Sequence, residues 1–287
     1  MDKIVINAFA KINLGLDVIK KREDGYHEVK MIMQNVGLYD TIEIKKNNTK
    51  KVVLTTNVDT IPTDGRNLIC KAIELIRKKY DIIDGVDVHL EKNIPVEAGM
   101  AGGSTDCAAA IKGMNEIFEL GMSMEEMMII GKSLGADVPY CLLAKPALAE
   151  GIGEILTPID MPLKCYVVIA KPVIGVSTAF VYGNLRADEL KEHPDIDGML
   201  TDIKNNDLYG MCEKMGNVLE TVTVKAYPVI EEIKKVMVEK GAVNSLMSGS
   251  GPTVFGLFDD ESKAAAAADF LSNRSDIAYA CKTNFVV

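Results

Sequence analysis

Between residues 95 and 109 the chain reads PVEAGMAGGSTDCAA, with glycine at 99, 102 and 103. Just before it, VDVHLEKNI (86–94) alternates apolar and polar residues, which puts Val86, Val88, Leu90 and Ile94 on one face, as in a strand. Just after it, STDCAAAIKGMNEIF is rich in helix formers, with Ser104, Thr105 and Asp106 as candidates for the cap and first turn. The stretch is therefore a strand-to-helix connection. A plain turn needs one or two glycines. Three, with alanine among them, suggest that something approaches the backbone closely and meets free N–H groups and the positive end of a helix. Proteins hold phosphate in this way. A flexible connector is the plainer alternative.

On the N-terminal side lie strand-like segments at 4–19, 27–36, 40–46 and 51–56, punctuated by Gly25, Gly37 with Asp40, and Asn47-Asn48. A helix is expected over 67–80, with Leu68, Ala72, Leu75 and Ile76 on one face, and another from Ser123, where SMEE forms a capping box, to about Gly135. A Pro-rich TPIDMPLK places a boundary near residue 160, giving domains 1–160 and 161–287. Beyond it come a buried strand at 165–170, helical patterns at 205–220 and 227–240, and a strand–turn–strand at 246–258. A helix at 261–271 and a strand at 277–286 close the chain. Residues 45–51 and 186–198 read as solvated loops. Helices alternating with a few strands suggest a small α/β sandwich.

The 287 residues, 48% hydrophobic and 25% charged, suit one large or two moderate soluble domains. No apolar run approaches the roughly 18 residues of a membrane span. The opening MDKIVINAFAKINLGLDV alternates like a strand and carries charges, so it does not read as a signal peptide, and the cytoplasm is expected. A net charge of −9 argues against nucleic acid as a partner. The six cysteines are scattered without a C-x-x-C pair, and the three histidines show no metal-ligand spacing, so buried thiols in a reducing compartment are expected. Two apparent nucleotide motifs fail. IIGKSLG (129–135) lacks the first Walker glycine and lies in a helical pattern, while GIGEIL (151–156) lacks the third glycine of a dinucleotide fingerprint.

Three further segments carry residues suited to chemistry. AKINLGL (10–16) puts Lys11 and Asn13 on one strand face, opposite Ile12, Leu14 and Leu16; a snorkelling or edge-strand lysine is the plainer reading. LGADVPY (134–140) carries Asp137, which equally suits a turn or helix cap. SGSGPTVF (248–255) is a second glycine turn, placed either to brace the first loop or simply to join a hairpin. A kinase acting on a hydroxyl needs backbone donors around phosphates, a magnesium ion, a carboxylate for the hydroxyl proton and a steadying cation.

Together AKINL, PVEAGMAGGST, GADVP and SGSGPTVF resemble, in order, the motifs of the GHMP small-molecule kinases. EDGYHEV (23–29) and EGIGEILTPI (150–159) are most similar to the branch that acts on a cytidyl-diphospho sugar alcohol in non-mevalonate isoprenoid synthesis. The resemblance implies an α+β fold, a ribosomal-protein-S5-like N-terminal domain followed by a ferredoxin-like C-terminal one. It implies ATP as phosphoryl donor, Mg2+ as cofactor and the sugar alcohol's 2-hydroxyl as acceptor. Matched position by position, Lys11 and Asp137 are the catalytic pair, with catalysis resting chiefly on positioning and charge neutralisation. Pro95, Val96, Glu97, Ala98, Gly99, Met100, Ala101, Gly102, Gly103, Ser104 and Thr105 match the ATP-phosphate loop, and Asn67 a position near the adenine. Asn13, Tyr26, His27 and Tyr182 match substrate positions, the last as an aromatic stacking on cytosine. An aromatic and a histidine suit a pyrimidine, one by its π-face and the other by a hydrogen bond to the base edge. Metal ligands are left unassigned, and the protein is expected to be a monomer or homodimer.

The chain departs from the family pattern at Glu97, where small residues are usual, at Phe9 in place of a proline, and at Thr105-Asp106. A carboxylate beside a triphosphate is unfavourable unless it points to solvent or metal. Homoserine or mevalonate kinase is the rival within the family, against which DGYH argues. A non-catalytic nucleotide-binding regulator and an RNA-binding protein are rivals outside it. Retention of both Lys11 and Asp137 argues against the first, and the acidic charge against the second.

Overall fold

Residues 27–47 form one strand where their punctuation predicts two. In the computed structural model, which describes residues 2–286, β1 spans Lys3–Lys21 and β2 spans His27–Asn47. Gly37 marks no turn. A Cβ there would lie 2.9 Å from Thr283 Oγ1, so the glycine admits the neighbouring strand. Asp40 is likewise not a turn residue, because its Oδ1 accepts hydrogen bonds from the N–H groups of Asn93 and Ile94 (2.6 and 2.8 Å).

The chain divides into two compact units, neither continuous in sequence. The first holds the chain up to Ala10, Leu38–Val96 and Ala101–Ala144. In it β3 (Val52–Thr56) runs parallel to β4 (Gly85–Glu91), and β4 pairs antiparallel with the second half of β2, Ile42 opposite Leu90. Alternation buries Ile42, Ile44, Val86, Val88 and Leu90. Helices α1 (Leu68–Lys79), α2 (Gly102–Ile117), α3 (Met124–Leu134) and α4 (Val138–Leu143) complete the unit. Gly113 lets α2 lie on the sheet, since a Cβ there would meet Ile44 Cδ1 at 2.5 Å. The capping box starting α3 is present in both directions, between Ser123 and Glu126. Pro139 opens α4 from its first turn, where a missing N–H costs nothing. Sequence periodicity does not reveal this helix because its six residues make under two turns.

The second unit holds Lys11–Gly37, Glu97–Met100 and the chain from Lys145 onward. Its elements are β5 (Ala147–Glu150), β6 (Ile155–Pro158), β7 (Tyr166–Pro172), α5 (Thr178–Asn184), α6 (Ile196–Lys204), α7 (Leu208–Lys214), α8 (Glu220–Ala226) and α9 (Val229–Glu239). They are followed by β8 (Asn244–Met247), β9 (Val254–Phe258), α10 (Glu261–Ser272) and β10 (Ile277–Val286). Strand β7 lies between β10 and β9, both antiparallel to it, with β8 beyond β9. The first half of β2 pairs antiparallel with β5 at Met31–Met33 and with the end of β10 at Asn35–Val36. Residues 205–220 are not one helix. Leu16 bonds to the Gly216 carbonyl and the Val218 N–H (2.9 and 3.0 Å), which pulls that stretch out of helix as a bridge to β1. Residues 186–198 are not all loop either, because buried Ile196 begins α6.

Candidate active site

Helix α2 starts two residues earlier than its polar residues predict. Its N-cap is Ala101 in the left-handed region (φ 57°), and no side chain caps it. Neither Ser104, Thr105 nor Asp106 is the cap; they lie inside the first turns. Glu97 (φ 53°) and Gly99 (φ 68°) are also left-handed, so the backbone between Pro95 and Gly102 turns tightly. The uncapped first turn leaves its N–H donors and the positive end of the helix for a ligand.

The three glycines serve different ends. A Cβ on Gly99 would sit 2.4 Å from the Ser248 carbonyl oxygen and 2.9 Å from that of Gly251, and Ser248 Oγ donates to the Gly99 carbonyl at 3.1 Å. The second glycine turn therefore braces the first. A Cβ on Gly102 would lie 2.9 Å from Lys92 Nζ. Only at Gly103 is the approach open, with nothing nearer than Leu68 Cδ1 at 4.0 Å. Two of the three admit the protein's own atoms.

Lys11 and Asn13 are both buried in the middle of β1, where the side chains on both faces are enclosed. Lys11 Nζ donates to Asn13 Oδ1 at 2.7 Å, and Asn13 Nδ2 reaches Met31 Sδ at 3.2 Å. The Lys11 side chain does not snorkel. Its backbone N–H bonds to the Met100 carbonyl (3.2 Å), tying β1 to the loop. A Cβ on Gly249 would be 3.7 Å from Lys11 Nζ, 3.5 Å from Asn13 Oδ1 and 3.1 Å from the Gly99 carbonyl oxygen. The two glycine segments and the lysine thus meet at one place. Asn217 holds the second turn, its Nδ2 donating to the carbonyls of Met247 and Gly249, each at 2.8 Å. Sequence reasoning missed it, since Asn217 falls inside the helical pattern read over 205–220.

His27 and Tyr182 come together, their ring centroids 5.2 Å apart and their planes tilted by 39°. Helix α5, capped by Ser177, carries the tyrosine. His27 Nε2 is enclosed without a partner, and burial, aided by the Lys21 charge, pushes its imidazole below the ordinary histidine range, which favours the neutral ring. Tyr26 is 59% exposed, with its backbone held in a turn by Asp24 Oδ1 (3.1 Å).

In the first unit, Asp137 occupies the N-cap position of α4, yet its side chain makes no capping bond. The helix-cap reading of this aspartate therefore does not hold. The turn before it lies by α2, since a Cβ on Gly135 would be 3.9 Å from Ser104 Oγ. Asn67 has both side-chain groups committed, Oδ1 to the Ile69 N–H (2.9 Å) as cap of α1 and Nδ2 to the Pro62 carbonyl (2.8 Å).

Behind the glycine loop lies a group that sequence reasoning missed. Lys92 Nζ donates to Asp40 Oδ2 and, at 2.7 Å, to Asp106 Oδ2, and all three residues are buried. The signal was available. Lys92 falls in the same alternation as Val88, Leu90 and Ile94, and Asp40 in that of Ile42 and Ile44, so each is a charge on an apolar face. Burial and the neighbouring Asp40 push the Asp106 carboxyl up to about 8, against the pull of Lys92. Glu97 turns away to Gly175, where a Cβ would lie 2.9 Å from its Oε2. Nearby Lys171 is pushed below the ordinary lysine range by burial, a shift that the Glu97 charge opposes.

Among the described residues no three His, Cys, Asp or Glu side chains cluster to hold a metal, and no helix is long and apolar enough to cross a membrane.

Known proteins fit this geometry. The family model described as GHMP kinases N terminal domain matches residues 67–145, and that described as GHMP kinases C terminal matches residues 199–276. A protein of Lachnospira eligens named 4-diphosphocytidyl-2-C-methyl-D-erythritol kinase is 52% identical over 277 residues, 96% of each chain. A crystal structure of 4-(cytidine 5'-diphospho)-2C-methyl-D-erythritol kinase superposes with a TM-score of 0.84 at 29% identity, covering 99% of this chain and all of the other. Homoserine kinase from Cytophaga hutchinsonii shares the fold, with a TM-score of 0.79 at 19% identity over 100% of this chain and 95% of its own. With a family model matched in each half and half of all residues shared with a full-length relative, the chain belongs to the GHMP kinase family.

Proposed function

We propose that this kinase transfers the γ-phosphoryl group of ATP to the 2-hydroxyl of 4-diphosphocytidyl-2-C-methyl-D-erythritol, a step of non-mevalonate isoprenoid synthesis. The observation that carries the reading is the 52% identity, across 96% of both chains, to a relative named for that substrate. The His27–Tyr182 ring pair supports it. Homoserine and mevalonate offer no flat base for such a pair, whereas cytosine has a face to stack and an edge to hydrogen-bond.

In this reading the loop from Pro95 to Thr105 wraps the ATP phosphates with backbone N–H groups, and Asn67 shapes the chain near the adenine. Magnesium, carried on the phosphates, supplies charge neutralisation. Asp137 accepts the proton of the acceptor hydroxyl as its oxygen bonds to the γ-phosphorus and the bond to ADP breaks. Lys11 orients that hydroxyl and balances charge, held by Asn13, which takes its place beside the substrate. Tyr26 and His27 take the cytidine end, with Tyr182 stacked on the base. Phosphoryl transfer asks little covalent chemistry of the protein, so a braced loop and a buried lysine are suitable parts.

The two family matches fall one on each side of residue 160, in support of domains at 1–160 and 161–287. A cytoplasmic monomer or homodimer is the form we expect to act. ADP release by purified protein with MgATP, assayed separately with the cytidyl-diphospho compound, mevalonate, homoserine and no acceptor, tests the reading. Turnover with the first alone is the expected result. Turnover with another acceptor, or nucleotide binding without any turnover, would overturn it.

A further inference from the structure

We propose that Asp106 is a positioning residue that takes up a proton as the phosphate chain of a nucleotide docks at the head of α2, so that the buried cluster behind the glycine loop meets the incoming charge as a neutral body. The inference rests on reading residues 95–105 as the phosphate loop.

The cluster is one ammonium between two carboxylates. Asp40 is fully used, Oδ1 by two backbone N–H groups and Oδ2 by Lys92. Asp106 is not, because its Oδ2 takes Lys92 while its Oδ1 is enclosed without a partner. The two carboxyls share a single cation, Lys92 Nζ, so two like charges are held close together in the interior. With both ionised, the buried group carries a net negative charge, which low-dielectric surroundings penalise.

Its position gives this charge a consequence. Lys92 Nζ would be 2.9 Å from a Cβ on Gly102, the first residue of α2, so the cluster lies directly behind the loop backbone. An ionised Asp106 in the first turns of α2 competes with a phosphate for the same helix end. The charged groups that face Asp106 are Lys92 and Asp40. The buried residues of α1, α3 and α4, which also pack on α2, contribute as titratable members only Cys70, Tyr140 and Cys141. Cys107, next along α2, is pushed up to about 12 by burial and the Asp106 charge. A single ammonium, Lys92, serves both carboxyls, so an arriving anion raises the proton affinity of Asp106, and by linkage the proton raises affinity for the anion.

Isothermal titration of MgADP into the full chain at pH 8, in buffers of low and high ionisation enthalpy, reads the proton count directly. The wild type is expected to take up a measurable fraction of a proton, up to roughly half, per nucleotide bound. Asp106→Asn, which keeps the shape of the protonated acid, is expected to bind MgADP without that uptake. Saturable binding with no uptake in the wild type, or equal uptake in both proteins, would overturn the inference while leaving the phosphate-loop reading standing. No saturable MgADP binding at any pH would overturn both.

Discussion

Ser248 donates its hydroxyl hydrogen to the carbonyl oxygen of Gly99 at 3.1 Å, joining two glycine segments 149 residues apart in the sequence. The same glycine has room for no Cβ, because Ser248 and Gly251 present carbonyl oxygens where one would go. The first glycine loop is thus fixed from behind by backbone, which suits the positioning role proposed for it.

Gly99 and Gly103 should therefore respond oppositely to alanine. At Gly99 a left-handed φ and the Ser248 carbonyl both oppose a Cβ, so Gly99→Ala should lower stability by about 2–4 kcal/mol. At Gly103 the space is open and the residue is helical, so Gly103→Ala should keep or slightly raise stability, by up to about 1 kcal/mol. Its KM for ATP should nevertheless rise, because the new methyl group stands where phosphate approaches. Denaturant unfolding and ATP saturation curves, measured on both variants, check the pair. An unchanged KM in Gly103→Ala would remove phosphate from that face of the loop.

Tyr182→Ala should weaken the cytidyl substrate by about 1–3 kcal/mol, the magnitude of base stacking on an aromatic ring. Tyr182→Phe, which retains the ring beside His27, should recover most of that loss. Calorimetric affinities for the substrate and for MgATP separate the effects, since nucleotide affinity should not move. Equal losses for both ligands would point to a collapsed α5 and away from a stacking role.

Local signals gave much of this molecule away. The alternation of 86–94, the SMEE capping box and the glycine spacing each depend on neighbours in sequence, and each element exists. What escaped depends on distant partners. Gly37 and Asp40 are turn residues by type, yet Thr283 and the Asn93–Ile94 backbone recruit them into an unbroken strand. The helical pattern at 205–220 yields to Leu16, which takes Gly216 and Val218 as bridge partners. In the candidate site, the second glycine turn was legible as a brace for the first or as a simple hairpin, and its approach to Lys11 and Asn13 depends on partners more than 200 residues away in sequence. The Lys92–Asp40–Asp106 cluster has no contiguous signature, because its members are 14 and 52 residues apart in sequence and meet only in the fold.

Asp106 also predicts a pH dependence of stability. Its folded carboxyl sits near 8, above the ordinary value of 3.8, so the folded state holds a proton that the unfolded chain releases across that interval. Its contribution to stability is thus fully present below the ordinary value and is lost as pH rises towards 8. Asp106→Asn cannot titrate, so its midpoint of urea unfolding should fall less steeply than that of the wild type between pH 5 and 8. Parallel curves for the two proteins would show that the carboxyl is ionised throughout.

Asp137→Asn tests the chemistry most directly. Asparagine has nearly the same volume and keeps one side-chain oxygen, so the fold should be preserved and the melting temperature should change little. An amide cannot accept the hydroxyl proton, and general-base losses are typically on the order of 10²–10⁴-fold, so kcat should fall by that factor. KM values for ATP and for the cytidyl substrate should stay within a few-fold, because the loop, Lys11 and the His27–Tyr182 pair are untouched. A fall in kcat with KM unchanged identifies an interaction made only in the transition state. A large rise in KM with kcat retained would instead make Asp137 a binding residue and leave the proton to solvent.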